Sequence, residues 1–139
     1  MQGFYTLLDH TADLRVRITG ASRAELFRNT GLALADLICD PDTLTSTQTV
    51  GIDVTGDDPA DLMVNFLREL LYLWTGKEKL VKLVSILDVS DTALSASMTV
   101  SSYDSESHAI LNEIKAVTYH QIAVEPVEEG WQATVLFDI

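Results

Sequence analysis

The sequence predicts an α+β domain, and three observations carry that prediction. The first half holds two apolar helical stripes, each opened by a strong N-terminal cap. The second half alternates polar and apolar residues in short runs divided by turn residues. No low-complexity linker breaks the chain, and no apolar run approaches the roughly 18 residues of a membrane span. With 139 residues, 47% of them hydrophobic and 22% charged, the chain suits one domain, spanning 1–139, with one core.

Leu14-Arg15-Val16-Arg17-Ile18-Thr19-Gly20 alternates strictly and predicts a half-buried strand closed by a glycine turn. Ser22-Arg23-Ala24-Glu25 is a capping box: the Ser22 oxygen can accept the Glu25 amide, and Glu25 can reach back. The helix that follows carries Leu26, Phe27, Leu32, Leu34, Ala35 and Ile38, and stops near Asp40-Pro41. Thr47 to Thr55 alternates again, with Val50, Ile52 and Val54 on one face. Asp58 then suits an N-cap and Pro59 the first helical position, and Asp61 complements the helix dipole. This second helix runs to about Trp74, with Gly76 as its stop, and is apolar on most sides. Asn65 is the polar oddity within it, expected to bond locally or face a polar pocket. Strands are expected at Val81 to Val89, Ala93 to Tyr103, Ile114 to Val124 and Trp131 to Phe137, with a hairpin turn at Glu128-Glu129-Gly130. Ser101 to Asn112 reads as a loop, and the chain reads as free of internal repeats.

Lys and Arg number 9 against 21 Asp and Glu, a net charge of −12. Such a chain repels phosphate backbones and anionic membranes, so any connection to nucleic acid is expected through a basic partner or a metal ion. The single cysteine, Cys39, excludes an intrachain disulfide and ends an apolar helical pattern, which predicts a buried, inert thiol. Met1 to Tyr5 lacks the basic and apolar blocks of a secretory signal, so a cytoplasmic protein is expected.

Polar residues collect in three places: Asp9-His10-Thr11-Ala12-Asp13, Lys115 to His120, and Asp138-Ile139. Asp138 and the Ile139 α-carboxylate follow the apolar run Val135-Leu136-Phe137 directly. Strand pairing and the Ile139 side chain are expected to hold them. With Asp13 as a third carboxylate they form an oxygen-rich set suited to a hard cation such as Ca²⁺ or Mg²⁺. The spacing also fits ordinary solvated carboxylates. His10, His108 and His120 are too scattered for a zinc motif, and Lys115 reads as a solvated lysine on a strand. No phosphate-binding loop, dinucleotide fingerprint, nucleophile elbow or HExxH motif is present.

Taken together, Asp9-His10-Thr11-Ala12-Asp13, Leu70-Leu71-Tyr72-Leu73, Lys115-Ala116-Val117-Thr118-Tyr119-His120 and Phe137-Asp138-Ile139 resemble the archease family over essentially the whole chain. The resemblance implies an accessory protein, itself not an enzyme, that activates an RtcB-type RNA ligase. It promotes guanylylation of the ligase's own histidine and multiple turnover, in tRNA splicing or RNA repair. It implies a divalent cation, Ca²⁺ first and Mg²⁺ or Mn²⁺ as alternatives, at Asp13, Asp138 and Ile139. Asp13, Lys115 and Asp138 are implied in ligase activation, and His10 and His120 sit in matching motifs as possible support. RNA is met only through the ligase, no membrane is implied, and the oligomeric state is left open. Two other readings are a small metal-dependent phosphoesterase and a general chaperone-like modulator of nucleic-acid enzymes.

Overall fold

The structure, a computed structural model, describes residues 4–10, 13–45 and 48–139, with 7–10 described by backbone alone. Chain order is β1 (Tyr5–His10), β2 (Asp13–Gly20), α1 (Arg23–Ile38), β3 (Gln48–Thr55), α2 (Pro59–Thr75), β4 (Lys79–Val89), β5 (Ala93–Ser102), β6 (Ala116–Val127) and β7 (Gly130–Asp138). The strands form two antiparallel sheets, a four-stranded one ordered β1-β2-β7-β6 and a three-stranded one ordered β3-β5-β4. The expected α+β architecture is therefore observed, and the helix boundaries fall where the caps place them.

Both helices touch strands of both sheets. α1 packs most closely on β4 and α2 on β6, the outer strands of the two hairpins. Leu14, Val16 and Ile18 of β2, Val135 and Phe137 of β7, and Met98 of β5 turn inward onto this helical layer and are almost wholly buried. Phe27 and Phe66, with ring centroids 6.0 Å apart, bridge the two helices. Among the described residues no helix is long and apolar enough to cross a membrane.

The expectation of no internal repeat is wrong. Thr19-Gly20-Ala21-Ser22-Arg23-Ala24-Glu25-Leu26-Phe27-Arg28-Asn29 and Thr55-Gly56-Asp57-Asp58-Pro59-Ala60-Asp61-Leu62-Met63-Val64-Asn65 align without a gap. Their local structures coincide bond for bond. The Glu25 amide donates to Ser22 Oγ at 3.1 Å and the Ala21 amide to Glu25 Oε1 at 3.1 Å. The Asp61 amide donates to Asp58 Oδ1 at 2.8 Å and the Asp57 amide to Asp61 Oδ2 at 2.8 Å. Asn29 Nδ2 donates to Thr19 O, and Asn65 Nδ2 to Thr55 O, each at 2.9 Å. A Cβ on Gly20 would stand 2.5 Å from the Leu26 nitrogen, and one on Gly56 2.5 Å from the Leu62 nitrogen. Asn65 thus bonds locally, as its oddity suggested, and has a twin. Each copy pairs its strand with a hairpin, β2 with β7–β6 and β3 with β5–β4, while its helix reaches to the other sheet's hairpin. One-letter similarity is low because, besides the turn, the cap and the asparagine, only Ala24 with Ala60 and Leu26 with Leu62 are held in this stretch.

Two strand expectations also need correction. β1 was not expected, since Tyr5–His10 has no clean alternation, and its pairing with β2 shifts register between Leu7 and Asp9. Lys115 lies one residue before β6 rather than inside it.

Candidate functional site

The site candidates gather at one end of the four-stranded sheet. β7 is an interior strand there, and its last residue, Asp138, faces Asp13 of β2 on one side and Ala116 of β6 on the other. Directly opposed residues of an antiparallel pair point to the same face. Leu14 and Phe137, the next residues along, are buried inward, so Asp13 and Asp138 project from the outer face of the sheet. The Lys115 amide donates to Asp138 O at 2.7 Å, which holds the backbone of this exposed lysine against the end of β7. Main-chain register thereby sets Asp13 beside Asp138, with Lys115 one residue outside that row at the same end of the sheet.

Ile139 follows Asp138 but lies beyond β7, and its side chain is 37% exposed. The expected anchoring by that side chain and by strand pairing is therefore not observed; pairing reaches only Asp138. His10 pairs with Leu14 by backbone, one residue from Asp13, but its side chain, like Thr11 and Ala12, lies outside the described residues. His120 is exposed on β6 away from the row. Among the described residues no group of three His, Cys, Asp or Glu side chains converges on a point. The donors at this end of the sheet are two carboxylates and the main-chain oxygens of Ile139, an all-oxygen set that fits a hard divalent cation. Cys39 is buried, as expected of an inert thiol.

Beside the row, β6 bulges. Thr118 still faces Leu136, but the next pair is Ala123 with Thr134, so three extra residues stand out around Gln121, whose φ is 59°. Tyr119 on this bulge donates from its hydroxyl to Asp61 Oδ1 at 2.7 Å and lies 3.4 Å from Asn65 Oδ1. The Arg68 guanidinium sits 4.7 Å from the Tyr119 ring centroid and donates to Val117 O from Nε and Nη2 at 3.3 and 3.2 Å. The Tyr119 hydroxyl and then the Asp57 amide hold the Asp61 carboxyl below its ordinary range, and the Asp61 bond raises the Tyr119 phenol. This clamp of α2 on β6 was not foreseen. Asp61 and Asn65 stand one helical turn apart on the sequence, with Arg68 a further turn on, and that spacing was its visible signal.

The model of the archease protein family (MTH1598/TM1083) matches residues 5–139. A protein archease of Methanosarcina barkeri is 33% identical, over 97% of this chain and 95% of its own. One of Thermoplasma acidophilum is 39% identical, over 97% and 93%. An archease-like protein of Drosophila melanogaster is 31% identical over 97% and 90%. The solution structure of Methanobacterium thermoautotrophicum protein 1598 superposes with a TM-score of 0.80 over 98% of this chain and 99% of its own, at 23% identity, a likeness of fold.

Proposed function

The chain belongs to the archease protein family, and on that premise we propose that it is an accessory activator of an RtcB-type RNA ligase. It promotes guanylylation of the ligase's histidine, in the cytoplasm, and holds a divalent cation at Asp13, Asp138 and Ile139. The observation that supports this reading is the register that sets Asp13 opposite Asp138 and ties Lys115 to the same strand end. A cation bound there supplies positive charge to phosphate oxygens. The protein's own residues do the rest. Asp13 and Asp138 fix the cation's position through paired strands, not a mobile loop. Lys115 adds a second positive charge beside them. The net charge of −12 favours docking on a basic protein surface and speeds the encounter, while disfavouring direct grip on RNA.

Calcium titration tests the metal-binding part of the reading. Asp138→Asn is expected to weaken Ca²⁺ binding at least about tenfold with the circular dichroism spectrum unchanged. Equal binding by the variant would remove Asp138 from the ligand set. Turnover of nucleotides by the chain without ligase would favour a phosphoesterase instead.

A further inference from the structure

The edge of a sheet pairs with another chain unless something prevents it. Of the four edge strands, three carry such a device. β1 shifts register between Leu7 and Asp9. β4 shifts twice, between Val81 and Leu83 and between Ile86 and Asp88, and carries Lys79 and Lys82. β6 bulges after Thr118 and holds Pro126. β3 has none of these. Its residues pair with β5 without a shift, from Gln48 opposite Val100 to Thr55 opposite Ala93, and include no proline or lysine. Its one charged side chain, Asp53, is tied back to its own sheet by the Ser95 hydroxyl, which donates to Oδ1. Among the described residues no main-chain hydrogen bond leaves β3 on the side away from β5.

The first unit shows what covers the matching edge. β2, the counterpart of β3, lies between β7 and the antiparallel strand β1. Leu14, Val16 and Ile18 of β2 are almost wholly buried. Their counterparts Val50 and Ile52 on β3 are only half-buried against the core, and Val54 alone is buried. The charge along the edge is also opposite in sign. β1 sets Thr6 opposite Arg17 and Asp9 opposite Arg15. The counterparts of those arginines on β3 are Asp53 and Gly51, and Asp57 and Asp58 stand exposed just past the strand.

We propose that the free edge of β3 takes an extended segment of a partner protein, paired antiparallel, in which apolar residues alternate with lysine or arginine. The segment's main chain extends the ladder, its apolar residues cover Val50 and Ile52, and a basic residue between them meets Asp53. A second copy of this chain suits the edge less well, because it brings another Asp53 and another net charge of −12. β3 belongs to the other sheet from Asp13 and Asp138, so this contact needs no cation there.

The probe is an end-blocked peptide of lysine–valine repeats, matched to the 8 residues of β3 and titrated into the 139-residue chain. Binding is followed by NMR shifts and amide exchange. A second peptide of the same composition has all its lysines first and all its valines last. The alternating peptide is expected to bind at least about tenfold more tightly than the block peptide, since only it can place a cation between two covering apolar residues. It is expected to slow exchange at least about tenfold for those amides of Val50 to Val54 that point away from β5, and to leave β4 unchanged. Asp53→Asn is expected to weaken it about threefold. Asp88→Asn removes a carboxylate that faces the same Ser95 from the β4 side, and is expected to change binding less than about 1.5-fold. Equal losses in the two variants, or equal binding of the two peptides, reduce the contact to general charge and overturn the proposal. Protection on β4 in place of β3, or no binding of the alternating peptide, also overturns it. A wild-type chain that sediments as a dimer with those β3 amides already protected assigns the edge to a second copy and overturns the basic partner.

Discussion

The two strand–helix units share a frame and differ in what the frame displays. In the first sheet the outward pair at the strand end is Asp13 with Asp138; at the matching place in the second it is Thr49 with Thr99. Lys115 stands one residue before the residue that faces Asp138, and Lys82 one residue before Leu83, which faces Thr99. The Lys82 ammonium is committed to Leu44 O at 2.8 Å, whereas Lys115 is exposed at the strand end. The turn, cap and asparagine are common to both because they build the backbone. The carboxylates occur in one unit only, at the place of the proposed cation site. The comparison separates residues that make the fold from residues that use it, at structurally equivalent positions.

Substitutions that hit the shared frame are expected to have the largest effect, and to have it twice. Gly20→Ala and Gly56→Ala each push a methyl group into helix backbone at 2.5 Å, which cannot yield as a side chain would. Each is expected to cost about 3 kcal/mol in chemical denaturation, with the two values close together. A tolerated substitution at one site would show that the two junctions are only superficially alike. Asn29→Ala and Asn65→Ala remove twin bonds to Thr19 O and Thr55 O. The more deeply buried Asn29 is expected to cost about 1–2 kcal/mol and Asn65 about half of that. The reverse order would mean that the Tyr119 contact carries more of Asn65's role than the twin bond does.

The smallest effect sharpens the difference between the units, since among the described residues Glu25 of the first has no counterpart of the Tyr119 clamp. Asp61 is held below its ordinary range chiefly by the Tyr119 hydroxyl. The stability that its ionised form contributes is present above the ordinary carboxylate range and lost as pH falls through the depressed value. Tyr119→Phe is expected to raise the Asp61 midpoint toward the ordinary range, read from its side-chain carbonyl carbon in an NMR titration. That loss then begins at higher pH. An unmoved midpoint would assign the depression to the Asp57 amide instead.

Much of this molecule is legible in its sequence, for local reasons. Ser22 with Glu25 and Asp58 with Pro59 announce helix starts because caps act over three residues. The alternation of Leu14, Val16 and Ile18 announces β2 because one face is buried. What stayed hidden depends on pairing. β1 has a shifted register, β6 carries a bulge that no hydrophobic pattern encodes, and Lys115 lies just outside its strand because pairing with β7 begins at Ala116. Asp13 and Asp138 were legible as an oxygen-rich set from the polar residues alone and Lys115 gained its role from the family resemblance; that Asp13 stands opposite Asp138 follows from strand order, which periodicity does not specify. Ile139 shows the reverse error: an apolar residue after an apolar strand suggests burial, but β7 ends before it.

The central claim is that the carboxylate row of the first sheet, and not its counterpart in the second, serves an RNA ligase. Multiple-turnover ligation by the cognate RtcB-type ligase, with GTP and a divalent metal, tests it directly. The wild-type chain and Thr49→Val are expected to stimulate turnover alike, and Asp138→Asn to lose the stimulation while remaining folded. Stimulation by Asp138→Asn equal to wild type, or none from the wild type with an active ligase, would contradict the account.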